Sequence, residues 1–274
     1  MRVLELRDVS RHYGAKGGWF LKSDPVRAVD GIDIALNAGE TLGIVGESGS
    51  GKSTLGRIAA GIEAPGGGSV AFRGAPYAAI GSALWRRQRR NVQVIFQNPS
   101  QALDPRLSIA AQIRQPMAAH GIAAGDDTVA AMLTRVGLAG LGSRFPHQLS
   151  GGQLQRAVIA RALALSPAVI VCDEAVSALD VSVQAQILNL LQDLQAEFGM
   201  AYLFISHDLG VVRHVSHRIA VMRHGRIVET GPAAEVFARP KNPYTRSLIA
   251  ALPAASPAAR RQRDDRVLAS MLKA

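Results

Sequence analysis

An octapeptide rich in glycine, Gly46–Ser53, constrains the fold of this chain more than any other feature of its sequence. It reads GESGSGKS and fits the pattern G-x-x-x-x-G-K-[ST] at every fixed position. The short apolar run Thr41–Val45 precedes it, and Ser53–Ile62 follows it with apolar residues at helical spacing. The pattern therefore predicts a strand, a phosphate-binding loop and a helix in direct succession.

Strand and helix patterns alternate along most of the remaining chain. Ile32, Ile34 and Leu36 have the two-residue period of a half-buried strand, and a turn follows at Asn37. Apolar runs typical of strands also occur at Val92–Phe96, Val169–Cys172, Ala201–Ile205 and Arg218–Met222, and an apolar stripe typical of a helix occupies Ser182–Phe198. This alternation indicates an α/β fold with a mainly parallel sheet covered on both faces.

Pro105–Ser150 departs from that alternation because it contains helical patterns alone. One helix is expected from Leu107 to about Gln115, where Pro116 should end it, and another over Asp127–Val136. The sequence therefore predicts a separate helical subdomain at about residues 105–150.

The small residues of the glycine-rich loop would allow its backbone amides to surround a phosphate at the start of the following helix. Lys52 is expected to bridge the β- and γ-phosphates of a nucleotide, and the Ser53 hydroxyl is expected to bind Mg²⁺. The residues predicted to bind the nucleotide here are Gly46, Glu47, Ser48, Gly49, Ser50, Gly51, Lys52, Ser53 and Thr54. A chance glycine turn is the alternative, and the strand–loop–helix context disfavours it.

Two acids end the apolar strand predicted at Val169–Cys172. Asp173 is expected to hold Mg²⁺ through water, and Glu174 to take a proton from the water that attacks the γ-phosphate. An acidic helix cap or turn is the alternative for this pair.

A second anion site is predicted at Leu149–Gln153, which reads LSGGQ and precedes a helix. With this segment, the chain resembles the nucleotide-binding subunits of ABC transporters. The resemblance implies a P-loop ATPase core with a mainly parallel sheet, an antiparallel β portion and an inserted helical subdomain. It also implies a head-to-tail dimer in which the LSGGQ segment of one subunit closes over ATP on the phosphate loop of the other. In this family Ser150, Gly151, Gly152 and Gln153 would contact that ATP.

Four further positions match motifs of the family, in the family's order along the chain. Gln97 resembles the Q-loop glutamine that reaches Mg²⁺ and the attacking water, and His207 resembles the switch histidine that contacts the γ-phosphate. Tyr13 resembles the aromatic residue that stacks on adenine, and Asp180 resembles the D-loop aspartate. Leu154 and the pair Ala175-Val176 depart from common family residues, and neither change is expected to remove catalysis.

A narrower resemblance, to the peptide/nickel importer group, comes from Phe96–Pro99, Leu103–Arg106, the long Gly14–Arg27 segment and Asn242–Leu248. It implies an ATP-hydrolysing subunit that energises uptake of a peptide or a nickel or other metal complex through two separate membrane permease subunits. A solute-binding protein would deliver the cargo. In that group, one type of ATPase subunit has a cysteine-rich C-terminal region. This sequence has a single cysteine, so the chain resembles the other type, the F-like subunit. The resemblance implies pairing with a D-like subunit, or with a second copy of this chain.

These expectations place an ABC nucleotide-binding domain at residues 1–253 and a basic tail at 254–274. The sequence has no apolar run of about 18 residues, so any membrane role is expected to be peripheral. The importer resemblance implies a position at the cytoplasmic face of the inner membrane. The net charge of +10 also suits nucleic acid, and the alternative is a soluble ABC ATPase acting on nucleic acid or ribosomes. The segment between Gln97 and Leu149 lacks the heptads or cysteines of DNA-repair relatives, so no nucleic-acid partner is expected. The arginines at 86–90 are expected to form a solvated face.

Overall fold

A computed structural model of the protein describes residues 1–14 and 25–252, in which the chain forms ten strands and ten α-helices. The strands are β1 (Arg2–Tyr13), β2 (Val26–Asn37), β3 (Thr41–Val45), β4 (Gly67–Phe72), β5 (Ala75–Pro76), β6 (Val92–Ile95), β7 (Val169–Asp173), β8 (Ala201–Ile205), β9 (Arg218–Arg223) and β10 (Arg226–Pro232). The helices are α1 (Lys52–Ala59), α2 (Ala83–Arg90), α3 (Pro99–Ala102), α4 (Ile109–Ala119), α5 (Asp126–Arg135), α6 (Gly151–Leu163), α7 (Val181–Phe198), α8 (Leu209–Val215), α9 (Ala233–Ala238) and α10 (Pro243–Ala250). Most of the segment expected at Gly14–Arg27, and the predicted basic tail, lie outside the described residues.

A six-stranded sheet with the order β10-β9-β3-β8-β7-β6 organises the molecule. Its neighbours pair in parallel from β9 to β6, and β10 pairs antiparallel with β9 at one edge. The predicted mainly parallel sheet is therefore confirmed. Because parallel strands end at the same edge, the loops after β3, β7 and β8 meet at one place.

Alternate residues of this sheet enter two different apolar cores. Ile170 and Cys172 of β7 pack into the core formed with the helices, whereas Val169 and Val171 pack into the core that faces the antiparallel sheet. All four side chains are fully buried. The two-residue period of a strand thus covers both faces of the sheet, as the uninterrupted apolar runs predicted.

The second sheet is antiparallel and has the order β2-β1-β4-β5. Leu4 and Leu6 of β1 are buried, and the neighbouring Glu5 and Arg7 form an ion pair at the surface. This sheet is the antiparallel portion that the family resemblance implied.

Helices occupy the chain from α3 to α6, with a short 3-10 helix at Pro146–Gln148 before α6. The expectation that Pro116 ends a helix is wrong, because α4 continues through it to Ala119. Ile109, Ile113 and Met117 recur every four residues and are all buried. Packing of this stripe keeps the helix intact although Pro116 has no amide hydrogen to donate.

Three smaller expectations also need correction. The helix after the glycine-rich loop ends at Ala59 rather than Ile62, and Gly61 follows with a positive φ of 66°. Strand β6 ends at Ile95, so that Phe96 is exposed. The arginines at 86–90 do not all face solvent, because the Arg89 guanidinium hydrogen-bonds the carbonyl of Ala60. Burial lowers the pKa of Arg89.

Of the helices in the described part of the chain, not one combines the length and the apolarity needed to cross a membrane.

Candidate nucleotide-binding site

The predicted site residues gather at the carboxyl ends of three adjacent parallel strands. The glycine-rich loop follows β3, Asp173 and Glu174 stand at the end of β7, and His207 follows β8. Strand β8 lies between the other two and pairs with both. In open α/β sheets, ligands bind at this edge, where loops and helix N-termini converge.

The path of the glycine-rich loop requires glycine at two positions. Gly51 has φ of 101°, and a Cβ atom there would lie 1.8 Å from the carbonyl oxygen of Ala28. A Cβ atom on Gly46 would lie 2.1 Å from the carbonyl oxygen of Met222. Any larger residue would therefore push the loop away from β2 and from the hairpin between β9 and β10.

Lys52 opens helix α1 and is 4% exposed. Its Nζ donates hydrogen bonds of 2.7 Å to the carbonyl oxygens of Gly46 and Glu47, so the ammonium lies inside the curve of the loop. Burial lowers the pKa of Lys52, and the charges of Glu174 and Asp173 act in the opposite direction. A partly desolvated cation inside a loop of backbone amides suits an anionic phosphate.

The start of α1 adds further donors to this region. The helical ladder begins with the amide of Leu55, which donates to the carbonyl of Gly51 at 2.9 Å. The amides of Lys52, Ser53 and Thr54 come before it and have no acceptor within the helix. The first turn contains no acidic side chain that would compete with an anion.

Ser53 and Asp173 supply two oxygen atoms at one point of the site. The Ser53 hydroxyl donates to Asp173 Oδ1 at 2.9 Å. Burial raises the pKa of Asp173, the hydrogen bond from Ser53 lowers it, and the first effect is larger. Hydroxyl and carboxylate oxygens are the ligands that Mg²⁺ prefers, so this pair fits such an ion.

Glu174 and His207 face each other across the ends of β7 and β8. Glu174 Oε1 lies 3.2 Å from His207 Nδ1. Glu174 also adopts a left-handed φ of 51°, and its amide donates to the carbonyl of Ile205 at 2.9 Å. The backbone hydrogen bond to β8 thus fixes an unusual conformation that directs the carboxylate toward the histidine.

Gln97 connects to the same acid through a serine. Its Nε2 donates to the Ser177 hydroxyl at 3.3 Å, and that hydroxyl donates to the carbonyl of Glu174 at 3.0 Å. The sequence pattern did not single out Ser177 as a site residue. It does lie three residues after Glu174, within reach of a tight turn.

Tyr13 lies at the end of β1 and is tied to helix α1 by polar contacts. Its hydroxyl donates to Glu63 Oε1 at 2.6 Å, and Arg57 of α1 donates to the other oxygen of Glu63 at 3.1 Å. The Arg11 guanidinium lies 5.2 Å from the centre of the Tyr13 ring. One face of the ring is therefore covered by a cation, and stacking on adenine would use the other.

Within residues 1–14 and 25–252, no hydrogen bond or ion pair joins the LSGGQ segment to the glycine-rich loop. Ser150 caps helix α6: its hydroxyl accepts from the Gln153 amide at 3.3 Å, and its own amide donates to Gln153 Oε1 at 2.9 Å. Asp180 caps helix α7 by accepting from the Val183 amide at 2.9 Å, and this hydrogen bond lowers its pKa.

These two helix starts lie side by side. A Cβ atom on Gly152 would lie 2.6 Å from Val183 of α7, so glycine is needed for the close approach of the two helices. Ser150 and Asp180 are both exposed, and Val181 beside them is an apolar residue that is 82% exposed. The predicted residues therefore form two groups, one at the glycine-rich loop and one on this exposed face.

Two parts of the chain match known protein families. Residues 29–177 match the family described as "ABC transporter". The chain belongs to this family. Residues 228–271 match a second family description, "Oligopeptide/dipeptide transporter, C-terminal region".

Curated relatives include the glutathione import ATP-binding protein GsiA of Shigella dysenteriae serotype 1 (strain Sd197) and that of Escherichia coli (strain K12). Each is 49% identical over 273 residues, which is 98% of this chain and 44% of the relative. This member of the ABC transporter family therefore spans less than half the length of the curated relatives it matches.

Solved structures also resemble the chain. Part of a cbiONQ ABC transporter complex, cbiO1 of Clostridium perfringens, is similar with a TM-score of 0.75 and 28% identity, over 87% of this chain and 91% of that one. The ATP-binding cassette MJ0796, a dimer in a post-hydrolysis state with ADP and Pi, has a TM-score of 0.73 and 28% identity, over 84% and 98%. The predicted fold is thus confirmed as that of ABC nucleotide-binding domains.

Proposed function

We propose that this chain binds and hydrolyses ATP, and that hydrolysis energises uptake of peptides through separate membrane permease subunits. The observation that carries the ATPase proposal is the convergence of Lys52, the Ser53–Asp173 pair and the Glu174–His207 pair at one sheet edge. The MJ0796 cassette, which has ADP and Pi bound, supports the choice of nucleotide.

The nucleotide would lie along the glycine-rich loop. Lys52 would turn from the carbonyls of Gly46 and Glu47 to the phosphates, and the free amides at the start of α1 would bind the same oxygens. Tyr13 would stack on the adenine with its free face. Ser53 and Asp173, with Gln97, would hold Mg²⁺, which neutralises charge that develops on the phosphates.

Glu174 is the proposed general base. It is the carboxylate next to the metal-binding acid, and His207 lies within 3.2 Å of it. The histidine would position the attacking water or contact the γ-phosphate. Gln97 is connected to the backbone carbonyl of Glu174 through the Ser177 hydroxyl. A shift of the loop after β6 would therefore move Glu174, the proposed base.

The exposed face with Ser150, Asp180 and Val181 would belong to a second ATP-binding subunit's site. Capped helix starts present polar groups there, and the exposed Val181 offers apolar surface to a partner. The dimeric MJ0796 cassette supports such pairing. Purification of the tagged chain from its native membranes, followed by mass spectrometry, distinguishes a second copy of this chain from a D-like subunit as the partner.

Peptide uptake is supported by two comparisons. The C-terminal part of the chain matches the oligopeptide/dipeptide transporter description, and relatives at 49% identity are glutathione import proteins. Glutathione is itself a small peptide. A nickel or other metal complex remains the other cargo class that the peptide/nickel importer resemblance implied. The chain would be held at the cytoplasmic face of the inner membrane by its permease partners.

Two measurements test the proposal separately. The first is phosphate release by the purified chain with ATP and Mg²⁺, where absence of both ATP binding and hydrolysis would refute the ATPase function. The second is purification of the tagged chain from its native membranes in mild detergent, followed by mass spectrometry. Two integral membrane proteins and a second ATPase subunit are expected. Recovery with nucleic acid or ribosomal material alone would leave the ATPase chemistry standing and refute import.

A further inference from the structure

Helix α10, the last helix in the described part of the chain, contacts the glycine-rich loop directly. The hydroxyl oxygen of Tyr244 accepts a 3.1 Å hydrogen bond from the backbone amide of Glu47, the second residue of that loop. The two residues are 197 positions apart in the sequence, and Tyr244 is 7% exposed. A buried side chain from the region that matches the oligopeptide/dipeptide transporter description thus lies against the candidate nucleotide site.

Contacts from several directions fix the position of Tyr244. Asn242 caps α10 by accepting from the Tyr244 amide at 2.9 Å. The Glu229 carboxylate accepts from the amides of Lys241 and Asn242, at 2.8 and 3.0 Å. The Arg223 guanidinium lies 4.6 Å from the centre of the Tyr244 ring, within the range of a cation–π contact. These contacts together hold the Tyr244 hydroxyl against the glycine-rich loop.

Glu47 is held through both of its backbone polar groups. Its amide donates to Tyr244, and its carbonyl accepts from Lys52 Nζ at 2.7 Å. In the described part of the chain, Tyr244 is the only side chain from outside the loop that hydrogen-bonds this residue. If Lys52 turns to bind phosphate, it leaves the carbonyl, and Tyr244 remains as the side-chain restraint on Glu47.

We propose that Tyr244 is a positioning residue for ATP binding, through which helix α10 holds the glycine-rich loop in its phosphate-accepting conformation. The inference rests on the proposed function, because it requires that the loop bind ATP. A loop that is ordered before binding loses less conformational entropy when the ligand arrives. The C-terminal region therefore sets the affinity of the site without contacting the nucleotide.

Tyr244→Phe tests this role, since it retains the ring and its contact with Arg223 and removes only the acceptor of the Glu47 amide. The dissociation constant of ATP, measured by equilibrium titration of the purified full chain, is expected to rise about three- to tenfold, the effect of one hydrogen bond. The KM of hydrolysis should rise by the same factor, with kcat changed less than twofold. The matched control is Tyr202→Phe, whose buried hydroxyl donates to the carbonyl of Leu191, away from the loop.

A second variant keeps the test independent of one substitution. Glu229→Ala removes the acceptor of the amides at the start of α10 and is expected to weaken ATP binding as Tyr244→Phe does. The double variant should bind ATP as tightly as the weaker-binding of the two single variants, because both act through the same contact. Unchanged ATP affinity in Tyr244→Phe would overturn the inference, as would an equal loss in Tyr202→Phe at the same melting temperature. Failure of the wild-type chain to bind ATP would refute the proposed function and this inference together. The two results with the tyrosine variants would overturn this inference alone and leave the proposed function intact.

Discussion

The carboxylate of Glu174 lies 3.2 Å from Nδ1 of His207, although the two residues follow different strands of the sheet, β7 and β8. Glu174 reaches this position with a left-handed backbone, a conformation that costs about 1–3 kcal/mol in a residue other than glycine. The hydrogen bond from its amide to Ile205 holds the backbone there. Strain held beside a carboxylate–imidazole contact at a strand end favours a catalytic use of this acid over a merely structural one.

Glu174→Gln is expected to lower the rate of ATP hydrolysis by at least about 100-fold, because an amide cannot accept a proton from water. ATP affinity should change less than twofold, since the side chain keeps its shape. Phosphate release and equilibrium binding of ATP measure the two effects. The control is Glu197→Gln, which removes a carboxylate that pairs with Arg135 at the surface. A wild-type rate in Glu174→Gln would exclude Glu174 as the base.

Asp173→Asn is expected to weaken binding of ATP in the presence of Mg²⁺ by about 10- to 100-fold, the usual effect of changing a group that orients a metal's ligands. Binding of ATP in excess EDTA should stay the same or become tighter, because one negative charge near the phosphates is removed. The comparison is made by titration with and without the metal. Asp193→Asn, at an exposed position of α7, is the control. Equal losses with and without Mg²⁺ would contradict a role in holding the ion.

The same substitution changes the pH dependence of stability. Burial raises the pKa of Asp173 above its ordinary value of 3.8, so the folded chain keeps this proton at pH values where the unfolded chain has lost it. The group therefore stabilises the fold below pH 3.8, and this contribution is lost as pH rises through the raised pKa. The free energy of unfolding of wild type, relative to Asp173→Asn, is expected to fall over that interval. Denaturant titrations at several pH values measure it, and a rise would contradict the stated direction.

The central strands and the glycine-rich loop could be predicted because their signals are local. Thr41–Val45 and Ala201–Ile205 are uninterrupted apolar runs, and both form strands with the predicted bounds. The loop motif likewise combines its glycines, Lys52 and Ser53 within eight residues. Parallel pairing then brings the ends of these strands together. The convergence of the candidate site depends on the strand order, which no local pattern in the sequence gives.

Features that depend on distant contacts were missed. Strand β1 gave weak signals because Asp8 interrupts its alternation with a positive φ of 48°. Arg89 belongs to a basic run that suggested a solvated face, and its inward position depends on Ala60, the residue that follows helix α1. The partner of Tyr244 is a backbone amide, which leaves no mark in the sequence.

Cys172 offers a direct measure of how ATP stabilises β7, the strand that ends at Asp173 and is followed by Glu174. It is the single cysteine in the sequence, it is fully buried, and burial raises the pKa of its thiol. The native chain should therefore react with a thiol reagent far more slowly than the chain unfolded in guanidinium. Labelling requires that the chain unfold around Cys172, and ATP stabilises the native chain against any unfolding that destroys its binding site. ATP with Mg²⁺ at 100 times its dissociation constant is therefore expected to slow labelling a further ~100-fold. Lys52→Ala should remove this protection, and rapid labelling of the native chain would contradict the burial of β7.

Ser150→Arg tests whether the LSGGQ segment acts on a partner's nucleotide. Ser150 caps α6 on an exposed face, and in the described residues no hydrogen bond joins it to the glycine-rich loop of its own chain. A large cation there is expected to block assembly over ATP and abolish hydrolysis, while ATP binding to the isolated chain stays within twofold of wild type. Loss of the cap alone costs about 1 kcal/mol of stability. Ser108→Ala is the matched control, because Ser108 caps α4 with a hydrogen bond of the same 3.3 Å length. If Ser150→Arg weakened ATP binding to the monomer and Ser108→Ala did not, the segment would act within its own chain and the two-subunit site would be wrong.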